Sequence, residues 1–315
     1  TPGTITASSS PTASTDSPFD DPAGFVFGDA EDQNVIKCGS YVGNGSTDGP
    51  EINLGWEPQW LIIKNTSTAK SWKLLDSMRG IVTGGMEAEM QADNNNAEHT
   101  GADRIELTST GFKLKTTSPI YNGDGDTYIF ICIRRSDGYV GKPPELGTDV
   151  LSLTYGSNDT NPSYVTNFPV DWTFSRRPAS SEDWYTAARL IQGKYLKLNE
   201  NASEVSHSAQ MFDYSNGWHT QTANLTDYMS WSWKRNAGFD VACWEGTNTS
   251  VVRRHNLGKT PEMIIFKDRD ANRNWRTYHK GLNGGTNPED YAVNINNSSA
   301  EGSNTNYMNG TAPTS

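Results

Sequence analysis

The chain has 315 residues, a formal net charge of −11 and a hydrophobic content of only 34%. The negative charge argues against binding to nucleic acid, whose phosphates would repel the surface, and against docking on an anionic membrane. No apolar run approaches the roughly 20 residues that a membrane-spanning helix requires, so we expect no membrane insertion.

The first 24 residues consist mainly of Thr, Ser, Pro, Ala and Asp. Such a segment cannot bury enough apolar surface to offset the entropy that is lost when a chain becomes ordered. We therefore expect residues 1–24 to form an extended linker or an arm that lies on a neighbouring molecule.

A repeated stretch organises the rest of the chain. Gly55-Trp-Glu-Pro-Gln-Trp-Leu-Ile-Ile-Lys-Asn65 recurs 203 residues later, from Gly258 to Asp268, and a degenerate copy begins at Asn167. The spacing indicates a unit of about 100 residues, the usual size of one domain. This is too long for a solenoid repeat, so we expect separate domains in series and not stacked units.

Within each unit, short apolar runs alternate with turns rich in Gly, Asn and Asp, and helical periodicity is nearly absent. The first unit contains about eight such runs, among them a buried strand from Trp60 to Lys64 and a half-exposed strand at Ile105-Glu-Leu. Many short strands separated by turns are typical of a sandwich or a jelly roll. The expected fold class is therefore all-β, built from tandem β-sandwich repeats.

The repeat also predicts the domain boundaries. We expect repeat 1 over residues 25–135, an inserted junction loop at 136–148, a degenerate repeat 2 over 149–236 and repeat 3 over 237–315. By the 203-residue offset, repeat 3 stops before the counterparts of Lys113-Leu-Lys115 and of the closing strand near Tyr128. Either the natural chain continues, or a neighbouring chain supplies these strands.

Aromatic residues are the first candidates for ligand binding. Trp72, Trp184 and Trp275 occupy one position in the three repeats. Sugars stack on exposed aromatic rings, but a Trp kept at one place in every repeat is more simply a core or corner residue. Tyr139 is a further candidate because loops on rigid scaffolds often carry function. In the closing strand of repeat 2, Trp231 and Trp233 are two residues apart, so we expect them to share one face and to pack.

One loop resembles a fragment of a calcium site. The stretch Asn122-Gly-Asp-Gly-Asp126 offers Asp124 and Asp126 as candidate ligands. A complete EF-hand loop has a carboxylate at its twelfth position, where Ile133 or Arg134 stands in this chain. A hairpin turn is the preferred interpretation, and apart from this calcium alternative no cofactor is expected.

Catalytic motifs are missing from the sequence. It contains no Gly-x-Ser-x-Gly elbow, no His-Glu-x-x-His and no phosphate loop. Glu87 and Glu89 lie in a loop and have no counterparts in repeat 3, whereas the repeated Glu98, Glu204 and Glu301 suggest structural hydrogen bonds. We therefore expect a non-enzymatic protein.

Several motifs follow one another in a fixed order. Tyr41-Val-Gly-Asn-Gly, Leu54-Gly-Trp-Glu-Pro-Gln-Trp60, the stretch from Trp72 to Gly80, and Leu107-Thr-Ser-Thr-Gly-Phe112 together resemble an uncharacterised repeated domain of marine bacteriophage, especially cyanophage, virion proteins. The resemblance spans about residues 25 to 315. It implies a concanavalin-like or jelly-roll β-sandwich and a place in tail fibres or other surface components. It implies no catalytic residues and no ligand-binding set.

The leading hypothesis is a virion structural protein on the particle surface, in a tail fibre or tail-attached appendage, that contributes to attachment to host glycans. Expected partners are other virion proteins, host-surface polysaccharide and further copies of the chain, for example in a trimer. The loops at 81–89 and 136–148 are the expected contact surfaces. The alternatives are a capsid decoration or head fibre, a polysaccharide depolymerase and a cellular surface adhesin.

Overall fold

The computed structural model describes residues 36–134 and 146–314, apart from positions 86, 109, 237, 247, 248, 251, 256 and 258. The predicted arm at 1–24 lies outside the described residues. Strands in the described part pair in antiparallel fashion, which confirms the all-β class. None of its helical turns has the length and apolar composition needed to cross a membrane. These turns are 3-10 helices at Gly147–Asp149, Arg189–Ile191, Leu225–Asp227, Leu282–Gly285 and Pro288–Asp290.

Repeat 1 is a β-sandwich. Its sheets have the orders β1-β8-β3-β4-β5 and β2-β7-β6, and one hydrophobic core joins their inner faces. The strands are β1 Ile36–Val42, β2 Glu51–Asn53, β3 Pro58–Asn65, β4 Lys73–Asp76, β5 Glu89–Gln91, β6 Ile105–Thr108, β7 Gly111–Leu114 and β8 Thr127–Arg134. The eight strands agree with the number expected from the sequence.

Strand β3 shows why the sequence forms this sandwich. Side chains alternate between the two faces of a strand. Leu61 and Ile63 are fully buried in the core, whereas Trp60 and Ile62 are half-buried on the outer face. The strand therefore carries apolar side chains on both faces, and its inner face forms the core.

Repeat 2 consists of a six-stranded sheet and a two-stranded sheet, β10-β15. The larger sheet has the order β14-β13-β12-β11-β16-β9, and the core between the sheets contains Tyr164, Phe168, Phe212 and Trp218. The strands are β9 Leu151–Tyr155, β10 Tyr164–Val165, β11 Trp172–Arg176, β12 Tyr185–Ala188, β13 Lys194–Lys197, β14 Val205–Ser206, β15 Gly217–Trp218 and β16 Met229–Trp233.

The large sheet of repeat 2 has small polar side chains on its core face and aromatic side chains on its outer face. Small hydroxyl side chains face the core, and Thr173 Oγ1 lies 2.8 Å from Ser230 Oγ. Trp218 donates its ring N–H to the same Ser230 oxygen at 3.1 Å. These hydrogen bonds satisfy polar groups that would be costly to bury alone. The aromatic side chains of β11 and β16 lie on the outer face, which accounts for the degenerate sequence of this copy.

Repeat 3 forms one four-stranded sheet, in the order β17-β18-β19-β20, and its described residues contribute no second sheet. The strands are β17 Met263–Phe266, β18 Arg276–His279, β19 Tyr291–Asn294 and β20 Gly302–Ser303. The central hairpin of each repeat has the same register, pairing Leu61 with Leu75, Thr173 with Ala187 and Ile264 with Tyr278. This shared register confirms the tandem repeat.

The three repeats pack on one another, a contact that the sequence did not predict. Leu190 of repeat 2 belongs to the core of repeat 1, and Trp275 of repeat 3 is buried against Leu196 and Leu198 of repeat 2. Each repeat therefore has apolar and charged groups on its surface that a neighbouring repeat covers.

Strand β6 was expected to be half-exposed, but Ile105, Glu106 and Leu107 are all buried. Val241 and Cys243 pack against the core of repeat 1, and Lys115 forms an ion pair with Glu245. The sequence assigned residues 241–245 to repeat 3. They lie against repeat 1. Their counterparts in β1 pair with β8, and the described residues of repeat 3 contain no equivalent of β8.

Two glycines allow the small sheets to close. A Cβ atom on Gly111 would lie 1.8 Å from the Ile52 carbonyl oxygen, and one on Gly217 would lie 2.1 Å from that of Tyr164. Backbone must therefore move if either residue gains a side chain. We expect Gly111→Ala and Gly217→Ala each to lower the free energy of unfolding by roughly 1–3 kcal/mol, as over-packing usually does.

Denaturant unfolding measures this effect, with Gly302→Ala as the control because no atom lies within 4 Å of the Cβ it would add. Equal stabilities for the three variants would contradict the close-approach argument.

Candidate functional site

The three predicted Trp residues do share one structural position. Each directly precedes the second strand of the central hairpin: β4, β12 or β18. The backbone carbonyls of Trp72, Trp184 and Trp275 accept hydrogen bonds from the N–H groups of Ala92, Leu198 and Ile295 respectively. This bond fixes the corner between two strands in every repeat.

The surroundings of the three rings differ. Trp275 is only 6% exposed and donates its ring N–H to the Lys197 carbonyl at 2.8 Å, so its ring faces are taken up by the contact with repeat 2. Trp72 and Trp184 are half-buried. Ligand stacking on these two rings stays a prediction.

Trp184 belongs to a larger aromatic group on the outer face of the repeat 2 sheet. Neighbouring rings have centroids 4.8–5.7 Å apart, from Trp184 and Trp231 at one end to Phe239 at the other. Arg176 lies over the Trp184 ring at 5.0 Å. Each ring is half-buried, so part of each remains open to solvent. We call this group the aromatic face; it comprises Trp172, Phe174, Trp184, Trp231, Trp233 and Phe239.

The two-residue spacing correctly predicted that Trp231 and Trp233 share one face and pack. The sequence did not predict the rest of the aromatic face, because Trp172, Trp184 and Phe239 come from separate segments. The repeat itself carried a signal, since Trp172 and Phe174 stand where repeat 1 has Trp60 and Ile62 on the outer face of β3.

Asp124 and Asp126 lie in a tight turn. Asp124 is exposed, while Asp126 accepts a hydrogen bond from the Asn65 side chain at 2.9 Å. The neighbouring Asn122 is buried and donates to the Ser46 carbonyl at 2.7 Å. Within the described ranges, no group of three or more His, Cys, Asp or Glu residues is placed to hold a metal ion. A calcium ion at this turn stays a prediction.

Tyr139 and residues 136–145 of the junction loop lie outside the described residues. The other predicted contact loop, 81–89, is mostly buried and not exposed as expected. Its Thr83 N–H donates to the Leu190 carbonyl of repeat 2 at 3.3 Å, and its Thr83 carbonyl accepts from Arg269 of repeat 3 at 3.2 Å. Both other repeats therefore contact this loop at Thr83.

Glu87 is the most unusual ionisable group in this loop. It is 1% exposed, and its Oε1 accepts backbone hydrogen bonds from Arg104 at 2.9 Å and Ile105 at 3.1 Å. Its Oε2 is buried without a hydrogen-bond partner among the described residues. Burial raises the pKa of Glu87 to about 7, although the two backbone donors oppose the shift.

Glu89 lies two residues further on and is buried in a different setting. Burial alone would raise its pKa, but the Tyr121 hydroxyl, Lys73 and Arg104 outweigh burial and hold the pKa below its usual range. Lys73 Nζ and Arg104 Nε each lie 2.9 Å from a Glu89 oxygen. Two carboxyl groups whose pKa values move apart are typical of acid–base pairs. A polysaccharide could not reach either group here, because both are at most 3% exposed.

A cavity of about 450 Å³ lies between the three-stranded sheet of repeat 1 and the chain at 241–254. Its lining contains acidic and basic groups, including Glu57, Glu106, Lys115 and Arg253, together with the apolar Leu190. Opposite charges are therefore mixed along the lining of the cavity.

Buried ion pairs that no sequence pattern predicted join the repeats. Arg235 lies 2.5 Å from Glu57 and 2.7 Å from Asp240, and the three side chains are almost fully buried. Removing one partner of such a pair leaves an uncompensated buried charge. Glu57 and Arg235 are 178 residues apart, and the repeated stretch that contains Glu57 does not identify Arg235 as its partner.

The pKa of Glu87 leads to a pH prediction. Between about 4.5, the ordinary value, and about 7, the folded protein binds a proton that the unfolded chain has lost. The contribution of Glu87 to stability is therefore present at low pH and lost as the pH rises through this range. We expect Glu87→Gln, which mimics the neutral form, to be stabilised relative to the natural protein at pH 8 by up to roughly 3 kcal/mol.

Unfolding free energies at pH 5 and pH 8 test this, with the exposed Glu51→Gln as the control variant. If Glu87→Gln and Glu51→Gln show the same dependence on pH, Glu87 is not protonated in the folded protein.

Comparison with known proteins places the chain in a family. The family model described as "Domain of unknown function (DUF7483)" matches residues 5–136 and 150–315. The first stretch contains repeat 1, and the second contains repeats 2 and 3. Searches among curated proteins and among solved structures gave no match. Because the matched stretches cover far more than half of its length, the chain belongs to the family described as Domain of unknown function (DUF7483).

Proposed function

We propose that this chain is a non-enzymatic structural protein of a phage virion, in a tail fibre or another tail-attached appendage, and that it contributes to attachment to host-surface glycans. The observation that carries the proposal is the tandem β-sandwich repeat whose units are packed together. The ordered motifs that resemble virion proteins of marine phages support the same assignment.

Packed repeats suit a part that must hold its shape between two attachment points. Arg269 of repeat 3 illustrates the packing, because it contacts both other repeats. It lies 2.7 Å from Glu204 of repeat 2, and it donates to the Thr83 carbonyl of repeat 1 at 3.2 Å. Contacts of this kind restrict the motion of one repeat against another, whereas flexible linkers would leave the repeats free.

The aromatic face is the surface that best suits a glycan. Its rings form a continuous group on a sheet, where a strand scaffold holds them in place. Sugar rings present an apolar face that matches the face of an indole ring. Arg176 beside Trp184 adds hydrogen-bond donors at one end of the group. These features support glycan binding by repeat 2.

Location on the particle tests the structural role. We expect mass spectrometry of purified virions to detect the chain, and antibodies against it to label the tail in electron micrographs. Label on the capsid would instead favour a decoration protein or head fibre. Absence from virions would contradict both, and release of reducing ends from host polysaccharide would favour the depolymerase.

Glycan binding is tested on the aromatic face. We expect Trp231→Ala to weaken binding of the purified chain to host polysaccharide by about 3- to 10-fold, since aromatic contacts contribute roughly 0.5–1.5 kcal/mol beyond buried area. The matched control is Ile131→Ala, at the corresponding outer position of β8 in repeat 1, where the side chain is 40% exposed but cannot stack on a sugar. Equal binding by the two variants would count against the aromatic face.

A further inference from the structure

The outer edge of β17 differs from the same edge in the other repeats. Strand β17 stands first in its sheet, whereas its counterparts β3 and β11 are interior strands that pair with β8 and β16. Among the described residues, no strand pairs with β17 on the side away from β18. Repeats 1 and 2 thus show what normally covers the edge that repeat 3 leaves open.

The hydrogen-bond pattern identifies the open backbone groups. The Lys280 N–H donates to the Glu262 carbonyl at 2.9 Å, so the backbone N–H and C=O of Glu262 point toward β18. Bonding groups alternate along an antiparallel strand, which directs the N–H and C=O of Met263 and Ile265 to the open edge. In repeat 1 the equivalent bond joins Ser77 to Gln59, and the groups of Trp60 and Ile62 face β8.

Within the described strand Met263–Phe266, this edge also lacks the usual protection. Proteins commonly shield an edge strand with charged residues, a proline or a bulge. All four residues of β17 are apolar, and Met263 is 50% exposed. Ile264 and Phe266 are only half-buried, although their counterparts Leu61 and Ile63 are fully buried. An added strand would therefore find both free hydrogen-bonding groups and uncovered apolar surface.

We propose that the open edge of β17 binds an antiparallel, apolar strand from a different polypeptide, not from a second copy of this chain, in the position that β8 takes in repeat 1. Strand addition to an exposed sheet edge is a common mode of peptide recognition. Strands β8 and β16 of the chain itself are not available, because each already pairs on both sides. The inference does not depend on the proposed function.

A peptide with the sequence of residues 127–134, carrying Cys132→Ser and terminal lysines for solubility, serves as the probe. We expect it to bind the full chain with 1:1 stoichiometry. Hydrogen exchange at the amides of Met263 and Ile265 should slow on binding, with little change at Ile264 and Phe266, which already bond to β18. A scrambled peptide of the same composition is the control for non-specific apolar binding.

A backbone variant separates edge pairing from side-chain contact. Met263→Pro removes one outward N–H and leaves the bonds to β18 intact, whereas Met263→Ala retains that N–H. We expect the proline variant to bind the peptide about tenfold more weakly than the alanine variant.

Three results would overturn the proposal. They are equal binding of the scrambled peptide, amides of Met263 and Ile265 that are already protected in the dilute chain alone, and protection that appears only through self-association of the chain.

Discussion

The pairing of the central hairpin in each repeat is the constraint on which the rest of the structure depends. It joins β3 to β4, β11 to β12 and β17 to β18 in one register, with Leu61, Thr173 and Ile264 at corresponding positions. A shift of one residue would exchange the two faces of a strand. The register therefore determines which side chains enter the core and which remain for contacts with neighbouring repeats, and it places a Trp at the same corner in all three units.

Repeat 2 shows how much the side chains can change while the register is kept. Its core-facing positions on β11 and β16 hold Thr and Ser, and the hydroxyl groups bond to one another and to Trp218. Large rings from the loops and the small sheet fill the core instead. The outer face of β11 and β16 carries the aromatic residues Trp172, Phe174, Trp231 and Trp233. Part of that face packs with Trp275 of repeat 3, so these aromatic side chains also join the two repeats.

The sequence predicted the features that are local or repeated, and missed those that depend on contacts between distant segments. The 203-residue offset correctly relates β17 and β18 to β3 and β4, because strand pairing follows a pattern of apolar residues. The burial of Glu87 could not be predicted in this way. Its Oε1 accepts hydrogen bonds from the backbone N–H groups of Arg104 and Ile105, and no sequence pattern identifies these residues, 17 and 18 positions further on, as its partners. The candidate aromatic face was found only in part for the same reason.

The outer faces of the three large sheets carry different side chains on one common scaffold. In repeat 1 the outer positions of β8 are aliphatic and 40% exposed at Ile129 and Ile131. In repeat 2 the matching position of Ile131 carries Trp231, and in repeat 3 Ile265 of β17 packs against repeat 2. Side chains at core positions must pack closely against the opposite sheet, and small changes in their volume lower the stability of the fold. Outer positions do not pack against the opposite sheet. We therefore expect functional differences among the repeats to arise on these faces and at the open edge of β17.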